Sequence, residues 1–210
     1  GGAEQAAFPW RGRISLDVAV GSAGSPDGSA AARAAVAAFL GSAEPDDFVV
    51  FGNRVIYSGP AEWTYRRMIF HQAHLAAAGG ADAFVIGSEL RGLTRIRDQE
   101  GRFPFVEGLI AIAQGVKAIL PDAIVTYAAD WSEYFGYHPE DGSGDVFFNL
   151  DPLWASPAID VIGIDDYLPI ADWRDGEAEP EWPSIHDRDG LAAEIARGEY
   201  YDWYYESEAA

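Results

Sequence analysis

Glu89 has the clearest chemical prospect in this chain, because it follows the apolar run Ala83-Phe84-Val85-Ile86-Gly87 and a single serine, Ser88. A carboxyl at the end of such a strand is partly screened from water, which favours its protonated form and suits a general acid. The competing assignment is an ion pair with Arg91 or Arg95. Asp130 closes a second apolar run, residues 124–128, and Asp165 and Asp166 close a third, residues 160–164. In a parallel sheet these strand ends share one mouth, where α/β folds place their ligands. Trp131, Tyr134, Tyr167 and Trp173 follow the same strands. Flat aromatic faces beside carboxylates suit sugar rings; the plainer role for these residues is to fill long loops.

Other chemistry is weaker. His71 and His74 are three apart on a helical pattern and can meet on one face, but no acidic third ligand has a matching spacing. The segment Asp141-Gly142-Ser143-Gly144-Asp145 begins like a calcium loop, yet Val146 stands where the sixth position needs Gly and Pro152 where the twelfth needs Glu. There is no Walker loop, no G-x-G-x-x-G and no G-x-S-x-G. No cofactor and no metal site is therefore assigned.

Strands and helices in alternation must position these residues, which indicates an α/β fold. Residues 13–20 read as a first strand, followed by a Gly/Ser-rich loop. Ser25-Pro26 offers an N-cap and a first-turn proline ahead of an Ala-rich helix over 29–40, closed by Gly41. Two apolar runs, 48–51 and 54–57, flank Gly52-Asn53 as a β-hairpin. A second helix spans about 61–78, ended by Gly79-Gly80. The run 83–87 reads as a parallel strand covered on both faces. Phe105, Leu109, Ile112, Val116 and Ile119 fall on one face of a third helix ended by Pro121. Strands over 124–128 and 160–164 are separated by a long loop, and a last helical pattern lies near Leu191.

The 210 residues carry fourteen Lys and Arg against thirty-four Asp and Glu, a formal charge of −20. Such a polyanion is repelled by phosphate backbones and anionic lipid, so neither nucleic acid nor membrane insertion is expected. With 49% hydrophobic residues the chain resembles a globular domain and not an acidic tail. It has no Cys, hence no disulfide framework and no thiolate chemistry. No apolar stretch approaches the roughly 18 residues of a spanning helix, and no signal peptide is visible. The Gly1-Gly2 start, without Met, suggests a cut boundary rather than a natural N-terminus.

Several longer phrases carry a family resemblance: Phe8-Pro9-Trp10-Arg11-Gly12-Arg13-Ile14, Arg66-Arg67-Met68-Ile69 with His71 and Ala73-His74-Leu75-Ala76, and Ile86-Gly87-Ser88-Glu89-Leu90-Arg91-Gly92-Leu93-Thr94. Further along come Thr126-Tyr127-Ala128-Ala129-Asp130-Trp131-Ser132-Glu133-Tyr134, residues 141–148 and Asp151-Pro152-Leu153-Trp154. Gly163-Ile164-Asp165-Asp166-Tyr167 and Gly198-Glu199-Tyr200-Tyr201-Asp202-Trp203 complete the set. Together they resemble the TIM-barrel-like domain of gene transfer agent and phage tail-tip proteins, a glycoside hydrolase-like barrel within a baseplate hub.

The resemblance implies a partial (β/α)8 TIM barrel with a β-hairpin insertion, acting on host cell-envelope polysaccharide or peptidoglycan beside other tail-tip and baseplate subunits. It implies a place at the tail tip of a virion-like particle assembled in the bacterial cytoplasm. It places Glu89 as acid/base of a retaining glycosidase; taken together with the acidic and aromatic strand ends, this makes Asp130, Trp131, Asp165, Asp166 and Tyr167 the residues expected to shape the sugar site. Two departures stand out. Ser88 occupies the place where such enzymes carry Asn, and their partner carboxylate follows a seventh strand beyond this chain. A complete barrel takes about 250 residues, so residues 1–210 are expected to be a fragment of a single such domain, lacking its first strands and last two. Retaining hydrolysis needs two carboxyl groups roughly 5 Å apart, so this segment alone is expected to be inactive. The alternative is a non-catalytic structural or carbohydrate-binding module of the tail tip.

Overall fold

The computed structural model describes residues 10–167, 182–184 and 186–197. The chain divides into two compact units, Gly1–Asp165 and Asp166–Ala210.

In the first unit, helix α1 (Ala30–Leu40) starts at Ser29, whose Oγ accepts from Ala32 N at 3.3 Å, and stops at Gly41. Ser29 is thus the cap, and Ser25 lies outside the helix. The hairpin forms as its pattern predicts: β1 (Phe48–Phe51) pairs antiparallel with β2 (Arg54–Tyr57). It is a two-stranded sheet of its own. Helix α2 (Tyr65–Gly79) ends on left-handed Gly80. It begins later than its composition suggests, because the Glu62 carboxylate accepts from Ser42 N, Ser42 Oγ, Ala43 N and Thr64 Oγ1 and holds the preceding residues against the turn after α1.

Three strands, β3 (Ala83–Ser88), β4 (Ile124–Asp130) and β5 (Gly163–Asp165), form a parallel sheet in sequence order. The short helix α3 (Arg91–Thr94) and the long helix α4 (Pro104–Ile119) connect β3 to β4, and α5 (Asp151–Trp154) lies between β4 and β5. The fold is mixed α/β and TIM-barrel-like, but the barrel is partial and does not close among the described residues. One face of the sheet buries Ile86, Val125, Tyr127 and Ala129 in a core shared with Phe70 of α2 and Phe105, Leu109, Ile112 and Val116 of α4. The other face presents Val85 and Ile124, each about half exposed. The expectation that β3 is covered on both faces is therefore corrected: its second apolar face is the inner wall of an unclosed barrel.

Two strand predictions also change. Residues 13–20 form no strand. A 3-10 turn, Arg11–Arg13, leads into a segment fastened by side chains, with Ser15 Oγ donating to Gly92 O at 3.1 Å. β5 begins three residues later than expected: Asp160 N still donates to Val125 O at 2.9 Å, but the other bonds to β4 here run through side chains. Asp160 Oδ2 accepts from Val125 N at 2.7 Å and pairs with Lys117 Nζ at 2.7 Å, while Thr126 Oγ1 donates to Val161 O at 2.7 Å.

In the second unit, helix α6 (Arg188–Arg197) is capped by Asp187, whose Oδ1 accepts from Gly190 N at 2.8 Å. Among the described residues no helix is long and apolar enough to cross a membrane.

Candidate functional site

Register places the acidic strand ends together in the first unit. Ser88 of β3 lies opposite Ala128 of β4, and Asp130 of β4 opposite Asp165 of β5, so Glu89, Asp130 and Asp165 share the carboxyl edge of one parallel sheet. Glu89 N extends the ladder by donating to Ala128 O at 2.8 Å. Glu89 itself is buried, at 7% exposure. Its φ of 53° makes it the one non-glycine residue with positive φ among those described. A left-handed conformation costs an L-residue about 1–2 kcal/mol, so the surroundings must impose it. They do so from both sides: the ladder bond fixes its own nitrogen, and the next nitrogen, Leu90 N, donates to Tyr127 Oη at 2.7 Å.

The Glu89 side chain is oriented by a residue 79 positions away, Trp10, whose indole Nε1 donates to Glu89 Oε2 at 2.6 Å. Two glycines bring it there. A Cβ on Gly92, inside α3, would stand 2.4 Å from Ile14 O and 2.6 Å from Gly12 O, so only glycine lets the 12–14 backbone lie on that helix. A Cβ on Gly12 would overlap the Trp10 ring, at 2.4 Å. The ion pair with Arg91 or Arg95 does not form; Arg91 Nη1 instead lies 3.9 Å from Asp130 Oδ1.

Asp130 is buried and occupied locally. It caps the 3-10 turn Trp131–Glu133: its Oδ1 accepts from Ser132 N at 3.1 Å and also from Ser132 Oγ, and the Glu133 carboxylate returns the bond by accepting from Asp130 N at 2.9 Å. Glu133 also accepts from Thr94 Oγ1 at 2.6 Å and Tyr127 Oη at 3.2 Å. Burial raises the pKa of Glu133 above the ordinary glutamate value despite those three donors. Burial likewise pushes the Tyr127 hydroxyl far above its usual range, so it serves here as a neutral donor and acceptor.

Asp165 Oδ2 accepts from Ser88 Oγ at 2.8 Å, across the small side chain of Ala128 on the strand between them. Ser88, whose place suggests a departure from the glycosidase pattern, thus binds a strand-end carboxylate. Trp131 is half-buried, its ring meeting Phe135 edge-on at 6.5 Å. Tyr134 is about half exposed and meets Phe135 at 5.3 Å. Asp166 and Tyr167 are exposed and belong to the second unit. Trp173, Phe8-Pro9 and residues 198–203 lie outside the described residues.

His71 and His74 do share one side of α2, and both rings pack against Phe48 of the hairpin, with centroids at 6.3 and 5.5 Å. The Pro45 carbonyl lies 3.0 Å from His74 Nε2. Among the described residues no three His, Asp or Glu side chains cluster as metal ligands. The 141–145 segment forms two tight local turns, with Asp141 Oδ1 accepting from Ser143 N and Ser143 Oγ from Asp145 N.

Sequence reasoning missed Trp10, Tyr127 and Glu133 as site residues. Glu133 had a readable signal, an acidic residue three positions after a capping Asp. Trp10 had none, since its partner is set only by tertiary contact.

No curated protein matches the chain. A family model, the GTA TIM-barrel-like domain, matches residues 63–210 and so takes in β3, β4, β5 and Glu89. The chain belongs to the TIM-barrel-like domain family of gene transfer agents.

Proposed function

We propose that this domain engages host cell-envelope glycan at the tail tip of a gene transfer agent particle, with Glu89 as general acid/base for glycosidic cleavage. The observation that carries the reading is the state of Glu89: buried, held in a strained left-handed conformation at the carboxyl edge of a parallel sheet, and oriented by an indole N–H. Strain of this kind gathers at functional sites, because the surrounding fold must over-determine it. In the proposed step the protonated Glu89 carboxyl donates to the leaving glycosidic oxygen as the C–O bond breaks. The resulting carboxylate, stabilised by the Trp10 N–H, then takes a proton from the attacking water. Asp165 with Ser88, Asp130 and Trp131 are proposed to shape the sugar site in the first unit, and neighbouring tail subunits are the proposed protein partners.

The test counts new reducing ends released from purified host peptidoglycan and surface polysaccharide by the full-length protein and by its Glu89→Gln variant. Release by the parent alone supports the proposal; equal release by both rejects the role of Glu89. A second reading, a non-catalytic binding module, is favoured by the engagement of Asp130 in its own turn and of Asp165 with Ser88. Its expected result is glycan binding without turnover by either protein.

A further inference from the structure

A groove of about 990 Å³ lies between α2, the hairpin and the segment after Trp10. It reaches Gly87 and Ser88, the two residues before Glu89. Its lining runs against the composition of the chain. In a protein of charge −20, no described carboxylate lines this groove, whereas Arg11 and Arg67 do. Neither arginine is paired with a carboxylate among the described residues.

The aromatic lining is also organised. The Arg67 guanidinium lies 4.1 Å from the centroid of Tyr57 and 3.9 Å from that of Trp63, and its Nη1 donates to Glu62 O. Stacking of this sort fixes the plane of a ring by cation–π attraction. Trp63 is nevertheless 92% exposed, so an indole pinned on one side presents a flat face to solvent at the rim of the groove. A pinned aromatic plane beside unpaired guanidinium groups is a combination that recognises a sugar ring bearing a carboxylate: the ring stacks, and the carboxylate accepts from the fork of donors on arginine.

The net charge narrows the ligand further. A long polyanion would meet repulsion from the rest of the acidic surface, which screening shortens to about 10 Å at 0.1 M salt without removing it. Isolated carboxylates on an otherwise neutral glycan avoid that penalty and still satisfy the groove. We infer that this groove is a glycan-binding cleft continuous with the Glu89 edge, selective for otherwise neutral sugar chains that carry isolated carboxylates, with Trp63 as the stacking platform and Arg67 and Arg11 as the carboxylate partners. The inference rests on the glycan reading of the site but is tested by binding, not by cleavage.

The experiment compares two tetrasaccharides by titration calorimetry on the full chain: one of alternating N-acetylglucosamine and N-acetylmuramic acid, and chitotetraose, which lacks the lactyl carboxylates. Tighter binding of the muramic tetrasaccharide is expected, and this preference should shrink as salt is raised. Arg67→Gln should weaken its binding about tenfold and that of chitotetraose less, since both ligands lose the pinned Trp63 plane but only the muramic sugar loses a carboxylate partner. Trp63→Ala should weaken both ligands, and because Trp63 is exposed this variant is expected to fold normally. Equal affinity for the two sugars, or a preference indifferent to Arg67→Gln and Arg11→Gln, overturns the selectivity. Binding of neither sugar overturns the cleft as a glycan site, in favour of a protein segment as its occupant. Failure of the cleavage reading appears separately, as intact binding with no release of reducing ends.

Discussion

Tyr127→Phe removes one oxygen atom and probes the whole support of Glu89. The ring is fully buried and meets Trp154 at 6.1 Å, contacts that phenylalanine keeps. Two hydrogen bonds disappear: Leu90 N loses its acceptor at 2.7 Å, and the buried Glu133 carboxylate loses a donor at 3.2 Å. A buried N–H left unsatisfied costs about 1–3 kcal/mol, and a hydrogen bond to a charged group contributes about 1.5–3 kcal/mol, the longer distance here placing it at the low end. A combined loss of about 3 kcal/mol follows, which for a chain of this size lowers Tm by roughly 6–12 °C. The assay is urea unfolding with Tyr65→Phe as the comparison, since the Tyr65 hydroxyl makes one bond, to Ile86 O at 2.7 Å, on β3, the strand that leads into Glu89. The Trp10 indole N–H resonance should also move, because freeing Leu90 relaxes the backbone that holds the Glu89 carboxylate against Trp10. A loss no larger than that of Tyr65→Phe, with an unmoved Trp10 signal, refutes the claim that Tyr127 props the Glu89 conformation.

Glu133→Gln tests the raised pKa: the folded state holds the proton more readily than the unfolded chain, so the wild type loses stability as pH rises above 4.5, whereas the variant does not. The stability of the variant relative to wild type should therefore climb as pH rises above 4.5, and parallel urea midpoints there would count against it. Asp98→Asn tests the opposite sign. Burial works to raise the Asp98 carboxyl, but the Arg102 and Glu100 N–H groups and the Arg33 guanidinium hold it down at about 2. The wild-type advantage should be full above pH 3.8 and vanish as pH falls towards 2, as read from acid titration of the circular dichroism signal. Gly92→Ala places a methyl against two backbone carbonyls that cannot rotate away, so a loss of about 1–3 kcal/mol together with displacement of Trp10 is expected. An unchanged Trp10 indole resonance in that variant would show that the segment docks by other means. Leu109→Ala, in the face of α4 buried against the core, should cost about 2–5 kcal/mol in urea unfolding without altering glycan binding.

Period and punctuation in the sequence located α1, α2, α4, α6, the hairpin and the three parallel strands, because each buries one face or stops at a glycine or proline that local physics dictates. The acidic ends of β3, β4 and β5 were legible for the same reason: parallel strands end together, so a residue type repeated at strand ends is repeated in space. Residues 13–20 misled because an apolar alternation has no ladder unless a partner strand lies beside it. Their backbone instead runs over Gly92, a contact that no spacing rule contains. What tertiary structure alone decided is the setting of those carboxylates. Whether Asp130 faces a ligand or caps its own turn, whether Ser88 reaches Asp165 across Ala128, and whether Trp10 reaches Glu89 all depend on distances between elements far apart in the chain. The physical reason is directional: hydrophobic pattern specifies which face is buried, whereas a hydrogen bond requires two particular atoms within about 3 Å, and only the packed fold brings such atoms together.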